Sequence, residues 1–284
     1  MSTEQSVIHD IGYQRYAGVR LGRGYAFRAL YAHSLRTAFG LGRGVLAKIF
    51  PWFVVGVITI FAAVFIVIRT QTGQAVGSYE EFADGNGLLL IMFCATVAPE
   101  LVSRDLRTGV LPLYFSRPIE REDYPLAKLG ALVTALWLLL AGAQTLIFAG
   151  AAFSVDRLGQ VWDELLDLLP ALAYSAVYAA VFGSLALLVA SLASRRAVAA
   201  AVVVATFLVP TPVVGVLSLT GSENAQRLAG LASPMTLVHG LGQWLFDVEG
   251  TGPGAFGPLY GVTVLTVVFA CTVALLVRYR RVAS

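Results

Sequence analysis

Charge is scarce in this sequence. Only 13% of its 284 residues are Asp, Glu, Lys or Arg, while 57% are hydrophobic. A water-soluble domain is about 25% charged and roughly 45–50% apolar, so an ordinary soluble enzyme is excluded. Low-complexity runs are missing too, which excludes a disordered chain. Two cysteines, Cys94 and Cys271, cannot make a disulfide framework, and both read as small buried thiols inside apolar runs. The three histidines, His9, His33 and His239, are scattered, with no H-E-x-x-H or Cys/His metal spacing. There is no G-x-S-x-G and no G-x-x-x-x-G-K-[ST]. The nearest glycine-rich stretch, Gly40–Lys48, places its lysine four residues past the last glycine and cannot form that phosphate cradle. The chain is therefore expected to be no enzyme and to hold no cofactor or metal of its own; any ATP hydrolysis must come from another chain.

What the sequence does have is long charge-free runs. A hydrocarbon core of roughly 30 Å needs about 20 apolar helical residues. Runs at 49–68, 126–153, 168–192 and 258–277 satisfy this, and 197–219 does so despite Pro210 and Pro212. The sixth candidate, 88–102, is short and carries Pro99 and Glu100 near its end. Charge settles whether it crosses, because Lys and Arg collect in cytoplasmic loops. Six crossings with the N-terminus inside put 17 of the 20 basic residues in cytoplasmic segments. If 88–102 did not cross, the division would be 9 against 11 and no bias would survive. The sequence thus predicts an all-α integral membrane protein with six transmembrane helices and both termini cytoplasmic. Residues 1–48 form a cytoplasmic segment and 49–284 one transmembrane domain. No small-residue cleavage site follows residues 1–48, so no signal peptide is expected.

Segments between the spans carry further signals. Within 24–46, Phe27, Leu30, Tyr31, Leu35 and Ala38 form one stripe, with Arg28, His33 and Arg36 around the rest. This is an amphipathic helix that either lies along the inner membrane surface or packs on protein. In Ser222–Gly257, Ser233, Pro234 and the row Leu237, Leu241, Trp244 and Leu245 predict a short helix dipping into the outer leaflet. With Pro210–Pro212 it suggests a shortened fifth span followed by re-entrant helices; a proline-kinked full span is the other reading. The outer loops are acidic (Glu80, Glu81, Asp84, Asp156, Asp163, Glu164, Asp167, Glu223, Asp247 and Glu249), which hydrates that surface or attracts cations. Glu80–Glu81 resembles a paired-glutamate protease motif, but Gly85 stands where that motif needs arginine. Small residues at 171, 175, 179 and 183 give the fourth span a close-packing face. Gln144, in the third span, is either an interhelical hydrogen-bonding group or a polar contact on the transport pathway.

The stretch 103–128, SRDLRTGVLPLYFSRPIEREDYPLAK, is the most informative. Glu100 and Arg104 are spaced as a helical ion pair, so the second span should continue to Thr108 and stop at Gly109. An apolar patch of Leu111, Tyr114 and Phe115 then sits in a charged loop, closed by Pro118. Glu122 or Asp123 caps the third span, and Pro125 lies in its first turn. The patch asks for a docking partner, a membrane-interface anchor or a local packing plug. Burying each side chain is worth about 1.5–3 kcal/mol.

Glu100, Thr108–Gly109, Leu111–Phe115, Ser116-Arg117-Pro118-Ile119, Tyr124 and Lys128 together resemble the type-2 permeases of ATP-binding-cassette transporters. The usual family pattern has Gly before Thr, the reverse of the order here. The amphipathic helix, the short fifth span and the helices before the sixth span also fit the pattern. The resemblance implies a permease subunit, usually of an exporter. It would pair with a second copy or a homologous permease and bind two copies of a cytosolic ATPase that holds ATP-Mg. Val110, Leu111, Leu113, Tyr114, Phe115 and Ser116 would form the cytoplasmic coupling helix, oriented by Arg104, Asp105, Arg107 and Arg117, with Glu100 in support. The segment LGRGYAFRALYAHSLRTAFGLGRG resembles actinobacterial members, implying a bacterial cell membrane. Membrane lipid is expected around the chain, and no nucleic acid. A scaffold whose loop binds a non-ATPase protein is the alternative reading of the same patch.

Overall fold

A computed structural model describes residues 18, 21–72, 77–109, 114, 118–154, 158–247 and 252–282; the elements among them are helices joined by turns, with no strand. Helix α1 (Arg23–Ala38) stops earlier than the 24–46 pattern predicts. Gly40 explains the break: its φ is +67°, and a Cβ there would lie 2.5 Å from the Ala47 carbonyl oxygen. Helix α2 (Val45–Thr72) follows as the first long apolar helix. The phenylalanine and leucine stripe of α1 faces protein, with Leu30 and Ala38 buried and Phe27, Tyr31 and Leu35 packed on the core.

The short α3 (Tyr79–Gly85) opens on a capping box, in which the Glu81 amide donates to Ser78 Oγ and the Ser78 amide donates to Glu81 Oε2. Helix α4 (Gly87–Leu101) breaks at Val102 and resumes as α5 (Ser103–Thr108). Gly109, left-handed at φ 65°, ends it as expected. Helix α6 (Asp123–Ser154) then crosses back. Helix α7 (Leu158–Leu192) begins well before residue 168, so Asp163, Glu164 and Asp167 stand on its first turns rather than in a loop. Helices α8 (Arg196–Leu208) and α9 (Thr211–Thr220) meet at the two prolines. Val209 and Pro210 keep right-handed helical angles, and the Thr211 hydroxyl donates to the Phe207 carbonyl at 3.3 Å. The run is therefore a kinked, continuous one, and α9 packs on the 3₁₀ turn Ala229–Ala232. Helices α10 (Glu223–Leu228), α11 (Pro234–Leu245) and α12 (Gly257–Val282) complete the chain.

Six helical runs are long and apolar enough to cross a membrane: Val45–Thr72, Gly87–Asp105, Asp123–Ser154, Gly159–Leu192, Arg196–Thr220 and Gly254–Arg281. The second, third and fourth form the centre, with 67%, 56% and 61% of their apolar windows buried, against 22% for each of the others. Helices α6 and α7 meet along the predicted small-residue face. Ala171, Ser175 and Ala179 are fully buried, and a Cβ on Gly183 would lie 2.9 Å from Val133 Cγ2. That face is thus used inside the subunit.

The two ends differ in charge. One, the basic end, gathers α1, α5 and the last turn of α12. The other, the acidic end, gathers α3, the start of α7 and α11. At the acidic end Arg69 pairs with Glu164, which also accepts from the Tyr79 hydroxyl at 3.0 Å. Asp84 accepts from the Tyr174 hydroxyl at 2.7 Å and holds His239 Nδ1 at 2.7 Å, tying α11 to α3 and α7. Its hydrogen bond to Asp84 raises the His239 pKa above the ordinary value, against partial desolvation. A raised folded-state pKa means this contact stabilises fully below about pH 6.5 and is lost as pH rises through the higher folded value. The wild-type unfolding temperature should therefore fall between about pH 6 and pH 9 by more than that of His239→Gln, measured on the purified protein in one detergent. Parallel profiles would remove His239 from this role.

Candidate functional site

The basic end holds most of the residues singled out in the sequence. Glu100, at the last turn of α4, is the first centre. Its Oε1 pairs with Arg43 and, at 3.1 Å, with Arg104; its Oε2 lies 3.1 Å from Arg196. The i,i+4 pair with Arg104 is the predicted one. Arg43 precedes α2 and Arg196 opens α8, so one carboxylate joins four segments. A carboxylate at the edge of an apolar bundle needs such partners, because an unpaired charge there is costly.

Asp105 is the second centre, one turn further along. Its Oδ2 accepts from Lys128 Nζ at 3.0 Å and from the Tyr124 hydroxyl at 2.7 Å. The Lys128 side chain is only 5% exposed, so this is a sequestered ion pair between α5 and α6. Asp105 thus points into the protein. Arg107, by contrast, is exposed and lines a shallow groove with Arg104, Arg196 and Ser103. Ser103 Oγ donates to the Ala190 carbonyl at 2.7 Å, seating α5 on the last turns of α7.

The descending side of the connection is held as firmly. Arg23 grips Asp123 through Nε and Nη2, each at 2.8 Å, and also pairs with Glu120. The Glu120 amide donates to Asp123 Oδ2 at 3.0 Å. Arg280 pairs with Glu122, its Nε 3.0 Å from Oε1. Tyr114 packs on the Tyr124 ring, centroids 5.5 Å apart, and Tyr124 packs in turn on Tyr279 at 5.1 Å. The flank after 110–117 is therefore held by α1 and α12, through Arg23 and Arg280, and the flank before it by α4, α6 and α7, through Glu100, Lys128 and the Ala190 carbonyl. Of the predicted docking residues only Tyr114 is described; Val110, Leu111, Leu113, Phe115, Ser116 and Arg117 lie outside the described residues.

Residues 79–282 match the model of the ABC-2 family transporter protein. The chain belongs to the ABC-2 transporter family. No curated protein matches the sequence. Six apolar helices and the family assignment make it a multi-pass transport permease, a class that works with an ATP-binding-cassette ATPase subunit. The matched region begins at α3, yet Arg23 and Arg43, which lie before it, close the same clamp.

Gln144 sits in the middle of this ABC-2 permease and is fully buried. Its Nε2 donates to the Tyr79 carbonyl at 2.9 Å, and its Oε1 accepts from Ser175 Oγ at 2.9 Å. Both ends of the amide are occupied by α3 and α7, the interhelical arrangement of the two sequence readings. Sequence reasoning missed Arg23, Arg43, Arg196, Arg280 and Tyr279. An acid at a span edge requires cations, but nothing local says which of many arginines supplies them. Among the described residues no group of three or more His, Cys, Asp or Glu could hold a metal.

Asp105→Ala should destabilise the protein by about 3 kcal/mol, because it strands the Lys128 charge, and Asp105→Ala with Lys128→Met should recover most of that loss. Thermal unfolding of the three forms in detergent measures it. Equal stability of the single and double variants would show that the pair is not sequestered.

Proposed function

We propose that this chain is the membrane-spanning subunit of an exporter, with the basic end in the cytosol and residues 110–117 seated on a partner ATPase. The observation that supports it is the clamped connection between α5 and α6. Its flanks are fixed to α1, α4 and α12 by ion pairs, while Arg104 and Arg107 stand exposed beside it. Flanks fixed in this way transmit a load as a lever does. A push on the connection reaches α5 and α6 together, because Asp105, Lys128 and Tyr124 join them.

In this reading two copies of the ATPase close on ATP and drive two connections toward each other. One connection comes from this chain; the other comes from a second copy or a homologous permease. The spans then move as packed bodies between inward- and outward-facing arrangements. The permease supplies no chemistry: binding and hydrolysis of ATP-Mg belong to the partner. The excess of Lys and Arg at the basic end supports a cytosolic position for it and for both termini, and the resemblance of residues 21–44 to actinobacterial members supports a bacterial cell membrane.

Leu111→Asp or Phe115→Asp should leave insertion intact and lower both ATPase co-purification and transport by about tenfold or more. Unchanged co-purification would remove the docking assignment. A cysteine placed at Tyr114 should resist a membrane-impermeant thiol reagent added outside intact cells; labelling there would reverse the topology.

A further inference from the structure

The cytosolic ends of α7 and α12 leave an open groove between them, about 690 Å³ in volume. Leu188, Leu192, Phe269, Val273 and Val277 make its walls, and Arg278 and Arg281 stand at its end. Phe269 is 71% exposed and Leu192 62%, so no described part of the chain fills it. Phe269 to Val277 spans eight residues, about 12 Å along the helix. Half of a hydrocarbon core is roughly 15 Å, so the groove matches the depth of one leaflet.

One charge at its rim, that of Arg278, is unmatched. Arg23, Arg43, Arg104, Arg196 and Arg280 at the same end are all ion-paired. Arg278 has no carboxylate partner among the described residues. Its Nη2 donates to the Ser191 carbonyl at 2.6 Å, capping the end of α7, and its Nε is buried with no acceptor. That carbonyl fixes where the guanidinium stands without neutralising it. A fixed cation above an apolar, leaflet-deep slot fits an anionic headgroup joined to an acyl chain, and a basic pocket between helices is a recognised way to hold one. A second copy of this chain fits less well, because a symmetric contact over this slot would bring two sets of arginines together.

We propose that this groove binds an anionic phospholipid, its acyl chain along Phe269, Val273 and Leu188 and its phosphate at Arg278 and Arg281. This binding is independent of the exporter reading. The test is native mass spectrometry of the full chain in detergent, titrated with phosphatidylglycerol and with phosphatidylcholine of the same acyl chains. Phosphatidylglycerol should be retained about tenfold better by the wild type. Arg278→Gln with Arg281→Gln should abolish the preference. Ala274→Trp, which fills the slot and leaves both arginines, should lower retention of both lipids. Equal retention of the two lipids by the wild type would overturn the proposal, as would an unchanged preference in the arginine variant. So would efficient disulfide formation between two copies carrying Ala270→Cys, which would put a second chain in the groove.

Discussion

A carboxylate at the rim of an apolar bundle persists only where cations and hydroxyl groups meet it. Glu100 and Asp105 are such carboxylates, less than two turns apart on the α4–α5 run. They solve the problem in different ways. Glu100 draws its partners from three sequence-distant or neighbouring arginines and remains near the surface. Asp105 turns inward to a single sequestered lysine and a tyrosine hydroxyl. The first arrangement ties segments together at the rim. The second fixes the angle at which α5 leaves α4 and α6 begins. Since α4, α6 and α7 form the buried centre, these two acids set the geometry that every peripheral helix at this end must meet.

That dependence extends to the N-terminal helix. α1 packs its apolar stripe on α6 and α4, and it sends Arg23 to Asp123 and Glu120. The exposed pairs among these contribute little individually in water. Their weight is geometric: the bidentate grip on Asp123 holds the first turn of α6 where Asp105 can reach Lys128. An amphipathic helix that in sequence suits a membrane surface is used here as a splint for the third span.

The long elements were legible because their signal is local. Five apolar runs announce five spans, and only 88–102 needed the charge distribution to be counted as a sixth. Gly109 as the stop of α5 was legible as well, since a left-handed residue at a helix end favours glycine. The early start of α7 was not. Asp163, Glu164 and Asp167 look like loop residues by hydropathy, but helix continuation costs them nothing at a hydrated end, and Arg69 and Tyr79 hold Glu164 there. The end of α1 was misjudged for the opposite reason: the apolar spacing continues to Leu46, while the positive φ of Gly40 decides the break. At the site, the Glu100–Arg104 pair was readable from its spacing. Arg43 and Arg196 were not, because nothing within a few residues of Glu100 refers to them.

How a change at the basic end could be felt at the acidic end follows from what lies between. Gln144 is the one buried side-chain amide at the middle of α6, and it joins that helix to α7 through Ser175 and to α3 through the Tyr79 carbonyl. The Ser175 contact requires a fixed register of α6 and α7, and the Tyr79 contact one of α6 and α3. Sliding α6 against α7 by one turn, about 5.4 Å, would break the Ser175–Gln144 hydrogen bond and take Val133 out of the space that Gly183 leaves open for it. The central pair is therefore disposed to move as one body, not to shear. Deformation is left to the elements less deeply packed, the proline-kinked α8–α9 run and α2, each with 22% of its apolar window buried. In the proposed exporter a push passed through α5 and α6 to so stiff a centre would rotate it against its periphery, and the acidic-end contacts of Asp84 with Tyr174 and His239 are where such a rotation would meet resistance.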